Sequence, residues 1–119
     1  MDKDPSSVRL IQENLESLGL SWRDPRGSAR VMTCDVSKAF QLLSGGNEKF
    51  DILLADPPYE HGVLKRIQGF LMEYPLLKPD GILAVEHGAK DVEVAADFPM
   101  ALVRRKKYGD TCLSLFKNP

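Results

Sequence analysis

Residues 50–59, Phe50-Asp51-Ile52-Leu53-Leu54-Ala55-Asp56-Pro57-Pro58-Tyr59, join an apolar run to an abrupt stop. The run, centred on residues 52–54, is long enough for one buried parallel strand. No regular element continues past it, because Pro57 and Pro58 fix their φ angles and donate no backbone hydrogen bond. Asp56 precedes a proline and is held extended. The stretch predicts a rigid carboxylate, two carbonyls and an aromatic ring at the carboxyl end of a strand, where ligands bind in open α/β sheets.

This group of residues suits methyl transfer to an exocyclic amine on a planar base. Such an amine is a poor nucleophile, because its lone pair is delocalised into the ring. The Asp56 carboxylate and the Pro57 carbonyl can each accept one N–H, which aims the lone pair and stabilises the positive charge that develops on nitrogen. Tyr59 can stack on a base that has swung out of its helix or loop.

The alternative is an ordinary proline turn in which Asp56 is only a capping residue. The apolar strand before the motif and the aromatic residue after it favour the functional interpretation.

The composition is that of an ordinary globular domain. The chain has 119 residues, of which 43% are hydrophobic and 28% charged, and this length suits a single core. We therefore predict one domain over residues 1–119. The formal net charge is -1, so any contact with nucleic acid requires a local basic patch and not overall charge.

Cysteine usage and the N-terminus bear on the compartment. Cys34 and Cys112 lie in apolar strand-like runs, with no Cys-x-x-Cys and no matching histidine spacing. This indicates buried free thiols in a reducing compartment and no metal site. No apolar stretch approaches about 18 residues, and Met1-Asp2-Lys3-Asp4-Pro5 has no signal-peptide pattern. We expect a cytoplasmic protein with no membrane partner.

Helical and strand-like segments alternate along the chain. Asp4 followed by Pro5 predicts a helix start, and Gly19 predicts its stop. After the strand centred on 52–54, the pattern predicts a helix at about 63–73, a turn at 76–81 and a strand at 82–86. The other expected elements are a strand at 29–34, a helix at about 37–43, and a hairpin of strands 101–107 and 111–116. This order indicates an α/β sheet, parallel with an antiparallel C-terminal edge.

With its elements in this order, the chain resembles the C-terminal part of the bacterial small-subunit ribosomal RNA guanine-N2 methyltransferases. These are Rossmann-like enzymes that use S-adenosylmethionine, and the resemblance covers essentially the whole chain. It rests on Met1-Asp2-Lys3-Asp4 with the helix that follows, Cys34-Asp35-Val36, Asp56-Pro57-Pro58-Tyr59, and Lys107-Tyr108-Gly109-Asp110-Thr111. The fold it implies is a Rossmann-like methyltransferase sheet that is truncated at its N-terminus.

The resemblance implies a catalytic role for the Asp56–Tyr59 tetrapeptide. Asp56 and Pro57 would hold the target amine of a guanine in ribosomal RNA, and Asp56 would also border the cofactor. Pro58 and Tyr59 would complete the motif, Tyr59 by stacking on the guanine.

The resemblance also implies a binding site for S-adenosylmethionine. Asp35, followed by Val36, would accept a hydrogen bond from the adenine amine of the cofactor, and a helix cap is the alternative role for Asp35. Asp2 lies next to the position at which the family places its ribose-binding carboxylate. The alternative for Asp2 is a solvated terminal residue.

One part of the family pattern is missing from this sequence. The family begins with a first strand and a glycine-rich turn that approaches the methionine part of the cofactor, whereas Gly45-Gly46 follows a later helix. Without that strand, the strand centred on 52–54 would have an open apolar edge. We expect another polypeptide to complete the chain, or a symmetric oligomer to form across that edge. Cofactor binding by the chain alone should be weak or absent.

Other polar residues near the predicted strand ends have two interpretations each. The run Arg104–Lys107 alternates between the faces of a strand, which favours a solvated edge over contact with RNA phosphates. His61 follows the catalytic motif and is either a surface residue or a substrate contact. His87 follows a strand and is a candidate to line the cleft, and Glu86 suits either an acidic site residue or a turn cap.

Two classes of function remain open at this point. The first is a methyltransferase, of which this chain is the substrate-side portion, with DNA adenine or protein glutamine as the alternative target. The second is a non-catalytic remnant or interaction module that keeps the edge of the fold without the cofactor pocket.

Overall fold

The structure is a computed structural model that describes residues 4–19, 32–57, 62–91 and 97–119. The chain divides into two compact units, Met1–Leu43 and Ser44–Pro119. The expectation of one domain over residues 1–119 stays a prediction.

The first unit contains helix α1 (Pro5–Ser17) and most of helix α2 (Val36–Gly45). The side chain of Asp4 caps α1 by accepting a hydrogen bond from the backbone N–H of Ser6 at 3.0 Å. Gly19 follows the helix with a φ of +73°, a conformation that favours glycine. The predicted start and stop of α1 are therefore confirmed.

The predicted strand at 29–34 lies mostly outside the described residues. Within the described part, Thr33 forms a single β-bridge, and Cys34 lies in a bend before α2. Cys34 is half-buried and Cys112 is buried, and both are free thiols. The prediction of a buried thiol is thus wrong for Cys34, because the residue precedes a helix and does not lie inside a strand.

The second unit is a sheet with one described helix. Its elements are β1 (Phe50–Ala55), α3 (Val63–Glu73), β2 (Leu77–Gly88), β3 (Ala101–Tyr108) and β4 (Thr111–Lys117). The four strands lie in the order β1-β2-β4-β3. The β1–β2 pair is parallel, whereas β2–β4 and β3–β4 are antiparallel. The predicted α/β sheet, parallel with an antiparallel C-terminal hairpin, is confirmed.

The predicted turn at 76–81 is wrong, because β2 already begins at Leu77. The turn-forming residues instead make an irregularity inside the strand, since Phe50 pairs with Leu77 but Ile52 pairs with Ile82. Asp80 takes a positive φ of 64° there. A Cβ atom on Gly81 would lie 2.8 Å from the carbonyl oxygen of Lys78. The backbone therefore approaches itself too closely for any side chain at this point.

The two faces of the sheet differ in burial. Leu83, Val85 and Phe116 share one face of the sheet and are fully buried, and α3 contacts β2. The opposite face, here called the open face, exposes Ile52 by 61% and Leu54 by 79%. This contrast follows from the alternation of side chains along a strand. No helix in the described part of the chain is long and apolar enough to cross a membrane.

Candidate active site

The candidate site begins where β1 ends. Ala55 is the last residue of β1 and pairs in parallel with Val85 of β2. Asp56 is therefore level with Glu86, and both side chains project from the open face. Pro57 follows Asp56 outside any strand and is half-buried. The chain thus places two carboxylates next to each other at the carboxyl end of two parallel strands. The end of the apolar run in the sequence predicts this position for Asp56.

The two carboxylates interact directly. The pKa of Asp56 is raised above its ordinary value of 3.8, first by partial desolvation, then by repulsion from the charge of Glu86 and by a hydrogen bond between the two side chains. A raised pKa means a stronger affinity for a proton and a stronger hydrogen-bond acceptor when ionised. Asp56 nevertheless remains exposed, so a ligand has access to it.

The structure describes some of the other sequence-predicted site residues in the first unit. Asp35 is exposed, and its backbone carbonyl accepts the N–H of Ala39 at 2.9 Å, so it stands at the start of α2. Val36 is the first residue of α2 and is 45% exposed. The position of Asp35 agrees with the capping alternative, and its exposed carboxylate keeps the ligand-binding role open. Asp2, Pro58, Tyr59 and His61 lie outside the described residues.

The prediction that His87 lines the cleft is wrong, because its side chain is fully buried. His87 alternates with Glu86 along β2 and therefore lies on the face opposite the two carboxylates. Its Nδ1 lies 2.9 Å from the carbonyl oxygen of Gly88 and its Nε2 lies 2.7 Å from Ser114 Oγ. Arg105 Nε donates to the same Oγ at 2.8 Å.

The hydrogen bonds of this buried chain hold the imidazole ring at both nitrogens. A carbonyl only accepts, so Nδ1 donates to Gly88. The hydroxyl of Ser114 accepts from Arg105 Nε and pairs with Nε2 of the ring. His87 is a structural residue of the second unit.

Glu86 is the site residue that the sequence treated as ambiguous. It was predicted at the end of a strand, but a turn cap explained it equally. The signal that identifies it is alignment of strand ends: in parallel strands, the last residues of consecutive strands meet at one edge. Among the described residues, no cluster of three or more His, Cys, Asp or Glu side chains suits a metal ion.

Comparisons with known proteins agree with this arrangement of elements. The sequence profile of the family described as "Conserved hypothetical protein 95" matches residues 1–117. A curated protein of Bacillus subtilis, named "Putative rRNA methyltransferase YlbH", is 26% identical over 118 residues. That alignment covers 98% of this chain and 61% of the relative. The chain therefore spans less than two thirds of the length of that relative.

Solved structures show the same fold. A Haemophilus influenzae protein described as "putative methylase HI0767" superposes with a TM-score of 0.75 at 24% identity, over 98% of this chain and 68% of that one. SMU.776, described as "a putative methyltransferase complexed with SAH", gives a TM-score of 0.72 at 13% identity, over 97% of this chain and 37% of that one. The sheet described above thus has the same fold as these solved structures.

Proposed function

We propose, since this chain belongs to the family described as conserved hypothetical protein 95, that it is the C-terminal portion of an RNA methyltransferase domain. The proposed reaction moves a methyl group from S-adenosylmethionine to the exocyclic N2 amine of a guanine in small-subunit ribosomal RNA, in the cytoplasm. The curated relative named as an rRNA methyltransferase supports RNA as the substrate class. The guanine N2 target rests on the resemblance of the catalytic motif.

The observation that carries the proposal is the carboxylate pair at the end of β1 and β2. Asp56 is exposed, interacts with Glu86 and is followed by a proline that donates no backbone hydrogen bond. Its surroundings therefore present acceptors to a ligand. An amine that is conjugated to a ring has N–H donors to offer, so this end of the sheet is chemically complementary to it.

In the proposed mechanism, Asp56 and the carbonyl of Pro57 each accept one N–H of the target amine. This fixes the nitrogen so that its lone pair points at the methyl group, and it stabilises the positive charge that forms on nitrogen. The interaction with Glu86 raises the proton affinity of Asp56, which suits it to attract the proton that the methylated nitrogen must lose. Pro58 and Tyr59 complete the proposed motif, with Tyr59 stacking on the base.

The residues that would hold S-adenosylmethionine are Asp35, Val36, Asp56 and, more weakly, Asp2. Asp35 fits this role because its carboxylate is exposed and is able to accept the N–H of an adenine amine. The structural relative complexed with SAH supports this cofactor class. S-adenosylmethionine supplies an electrophilic methyl group. We expect the chain alone to bind it weakly, because the sequence has no glycine-rich turn before its strands.

The edge of the sheet formed by the described strands supports a second copy or a complementing chain as a partner. β1 lies at the edge of the four-stranded sheet, and Ile52 and Leu54 are exposed by 61% and 79%. An exposed apolar edge strand readily pairs with another strand. The proposal is that such pairing completes the sheet beside β1.

Nucleoside analysis by mass spectrometry tests the proposed target. Ribosomal RNA, adenine-containing DNA and a glutamine-containing protein substrate are each incubated with the chain and S-adenosylmethionine at millimolar concentration, at which a weak site is still partly filled. We expect N2-methylguanosine from ribosomal RNA only. N6-methyladenine or methylglutamine would identify the alternative amine methyltransferases, and absence of all three products would identify a non-catalytic remnant.

A further inference from the structure

A row of basic and aromatic side chains lies on the same face of the sheet as the two carboxylates. The register pairs Lys106 of β3 with Leu113 of β4, and Leu113 in turn with Glu86 of β2. Directly paired residues share a face, so Lys106 projects from the open face, and the alternation along β3 adds Arg104 and Tyr108. We name Arg104, Lys106 and Tyr108 the basic row.

The basic row runs toward the end of the sheet that holds the site. Lys106 is level with Glu86 and Asp56, whereas Tyr108 lies beyond it, level with Thr111 and Gly88. Neighbouring strands are about 4.8 Å apart, so the backbones of Lys106 and Asp56 are about 14 Å apart across three spacings. Leu113, between them, is 37% exposed. The surface from the basic row to the carboxylates is therefore accessible.

The positive charge of the basic row is not balanced across the sheet. Arg104 and Lys106 pair with Leu115 and Leu113, and neither partner is acidic. Among the described residues, no carboxylate forms an ion pair with either side chain. Two exposed cations on one face repel each other and weaken folding slightly, which points to an anionic partner that offsets the repulsion.

Tyr108 adds a surface suited to a nucleobase. Its ring is 55% exposed, and the Nζ atom of Lys106 lies 5.2 Å from the ring centroid. The cation–π contact holds the lysine ammonium over the ring. Proteins that bind single-stranded nucleic acid combine cations that follow the phosphates with aromatic rings on which bases stack.

From this arrangement we propose that the basic row binds the single-stranded RNA segment that flanks the target nucleotide. Arg104 and Lys106 contact phosphates and Tyr108 stacks on a base, while the target base reaches the carboxylates. The inference rests on the proposed RNA substrate. A solvated edge strand is the alternative, and it predicts that cations on either face of β3 are equivalent.

Lys107 offers the matched control for this proposal. It lies in the same strand, carries the same charge and is exposed, but it projects from the opposite face, where it pairs with Cys112. Binding of a fluorescent single-stranded RNA is measured by anisotropy at several salt concentrations. The variants are Arg104→Ala with Lys106→Ala, Tyr108→Ala, and Lys107→Ala.

We expect the double variant to flatten the slope of log affinity against log salt by about 1.4, which is two contacts at about 0.7 each. Tyr108→Ala should weaken binding about 10-fold, within the range for one stacked base. Lys107→Ala should leave both values unchanged. A Lys107→Ala variant that flattens the slope by about 0.7, the same change per cation as in the double variant, or an absence of RNA binding by the wild-type chain, would overturn the inference.

Two controls separate this inference from the proposed reaction. A variant with Arg104→Gln and Lys106→Gln removes both charges but keeps polar side chains, and circular dichroism checks that it is folded. Asp56→Ala should abolish methyl transfer and should not flatten the salt dependence of RNA binding, because the substitution removes no cation. Methyl transfer that depends on Asp56 but not on the basic row refutes the inference alone, whereas RNA binding through the row without any methyl transfer refutes the proposed reaction alone.

Discussion

Asp56 and Glu86 place two like charges side by side on an exposed face. Partial desolvation and the repulsion between the two carboxylates disfavour the ionised form of Asp56 and raise its pKa. Carboxylates in this arrangement are characteristic of sites that bind N–H donors or move protons. The pair therefore supports the proposed role of this end of the sheet.

Replacement of Glu86 by glutamine should lower the pKa of Asp56 toward its ordinary value. The substitution removes the repulsion that favours the protonated form, although desolvation remains. NMR titration of the Asp56 side-chain carboxyl carbon measures the shift directly. The same variant should move the acidic limb of the pH–rate profile to lower pH, because Asp56 must be ionised to accept an N–H. An unchanged pKa would show that the two side chains do not interact.

The raised pKa also has a consequence for stability. Between pH 3.8 and the folded pKa of Asp56, the folded state binds more protons than the unfolded state, so stability falls as pH rises through this window. Asp56→Asn should therefore make the chain more stable than the wild type near neutral pH, with a smaller difference below pH 3.8. Urea unfolding at both pH values measures it. A less stable variant at neutral pH would contradict this sign.

The sequence predicts some of these residues and not others. Asp56 and Pro57 were identifiable because proline chemistry fixes where the strand ends. Glu86 and the burial of His87 were not, because the face of a residue depends on strand register, which no local pattern in residues 82–88 specifies.

Two glycines of the second unit differ in how much space surrounds them. Gly81 lies where β2 folds closely on itself, and Gly69 lies inside α3, where a Cβ atom would meet nothing within 4 Å. The helix at 63–73 was predicted correctly from its apolar stripe, but the start of β2 was not. The turn-forming residues at 78–81 lie inside an irregular strand, because a strand can accommodate such residues as a bulge.

These two glycines form a matched pair for a stability measurement. Gly81→Ala should destabilise the chain by about 1–3 kcal/mol, because its Cβ would lie 2.8 Å from a backbone oxygen. Gly69→Ala should stabilise it by about 0.5–1 kcal/mol, because alanine is the better helix former. Urea unfolding of both variants gives the free energies. Equal effects of the two substitutions would show that β2 does not approach itself as described.

For the chain as a whole, the edge position of β1 among the described strands is the dominant feature. The chain spans 61% of its curated relative, and β1 lies at the edge of the sheet. The fold class was predictable because the order of strands and helices is encoded locally. A strand partner for β1 was not predictable, since no local pattern in the sequence specifies one.

Leu54→Lys should shift the chain toward a monomer, because a lysine on an exposed edge strand opposes strand pairing. Leu42→Lys is the control, since Leu42 is 52% exposed on α2 and Leu54 is 79% exposed on β1. Light scattering after size exclusion measures the mass of both variants and of the wild type. A wild-type chain that is already a clean monomer would contradict the oligomer proposal.

The most direct measurement is transfer of labelled methyl groups from S-adenosylmethionine to ribosomal RNA by the wild type, Asp56→Asn and Lys107→Ala, with the fold of each checked by circular dichroism. The account predicts slow transfer by the wild type and by Lys107→Ala, and a loss of about 10²–10³-fold for Asp56→Asn, the effect of removing one hydrogen-bonding group that stabilises developing charge. Transfer that is equal in all three proteins would show that the carboxylate at the end of β1 does not hold the reacting amine.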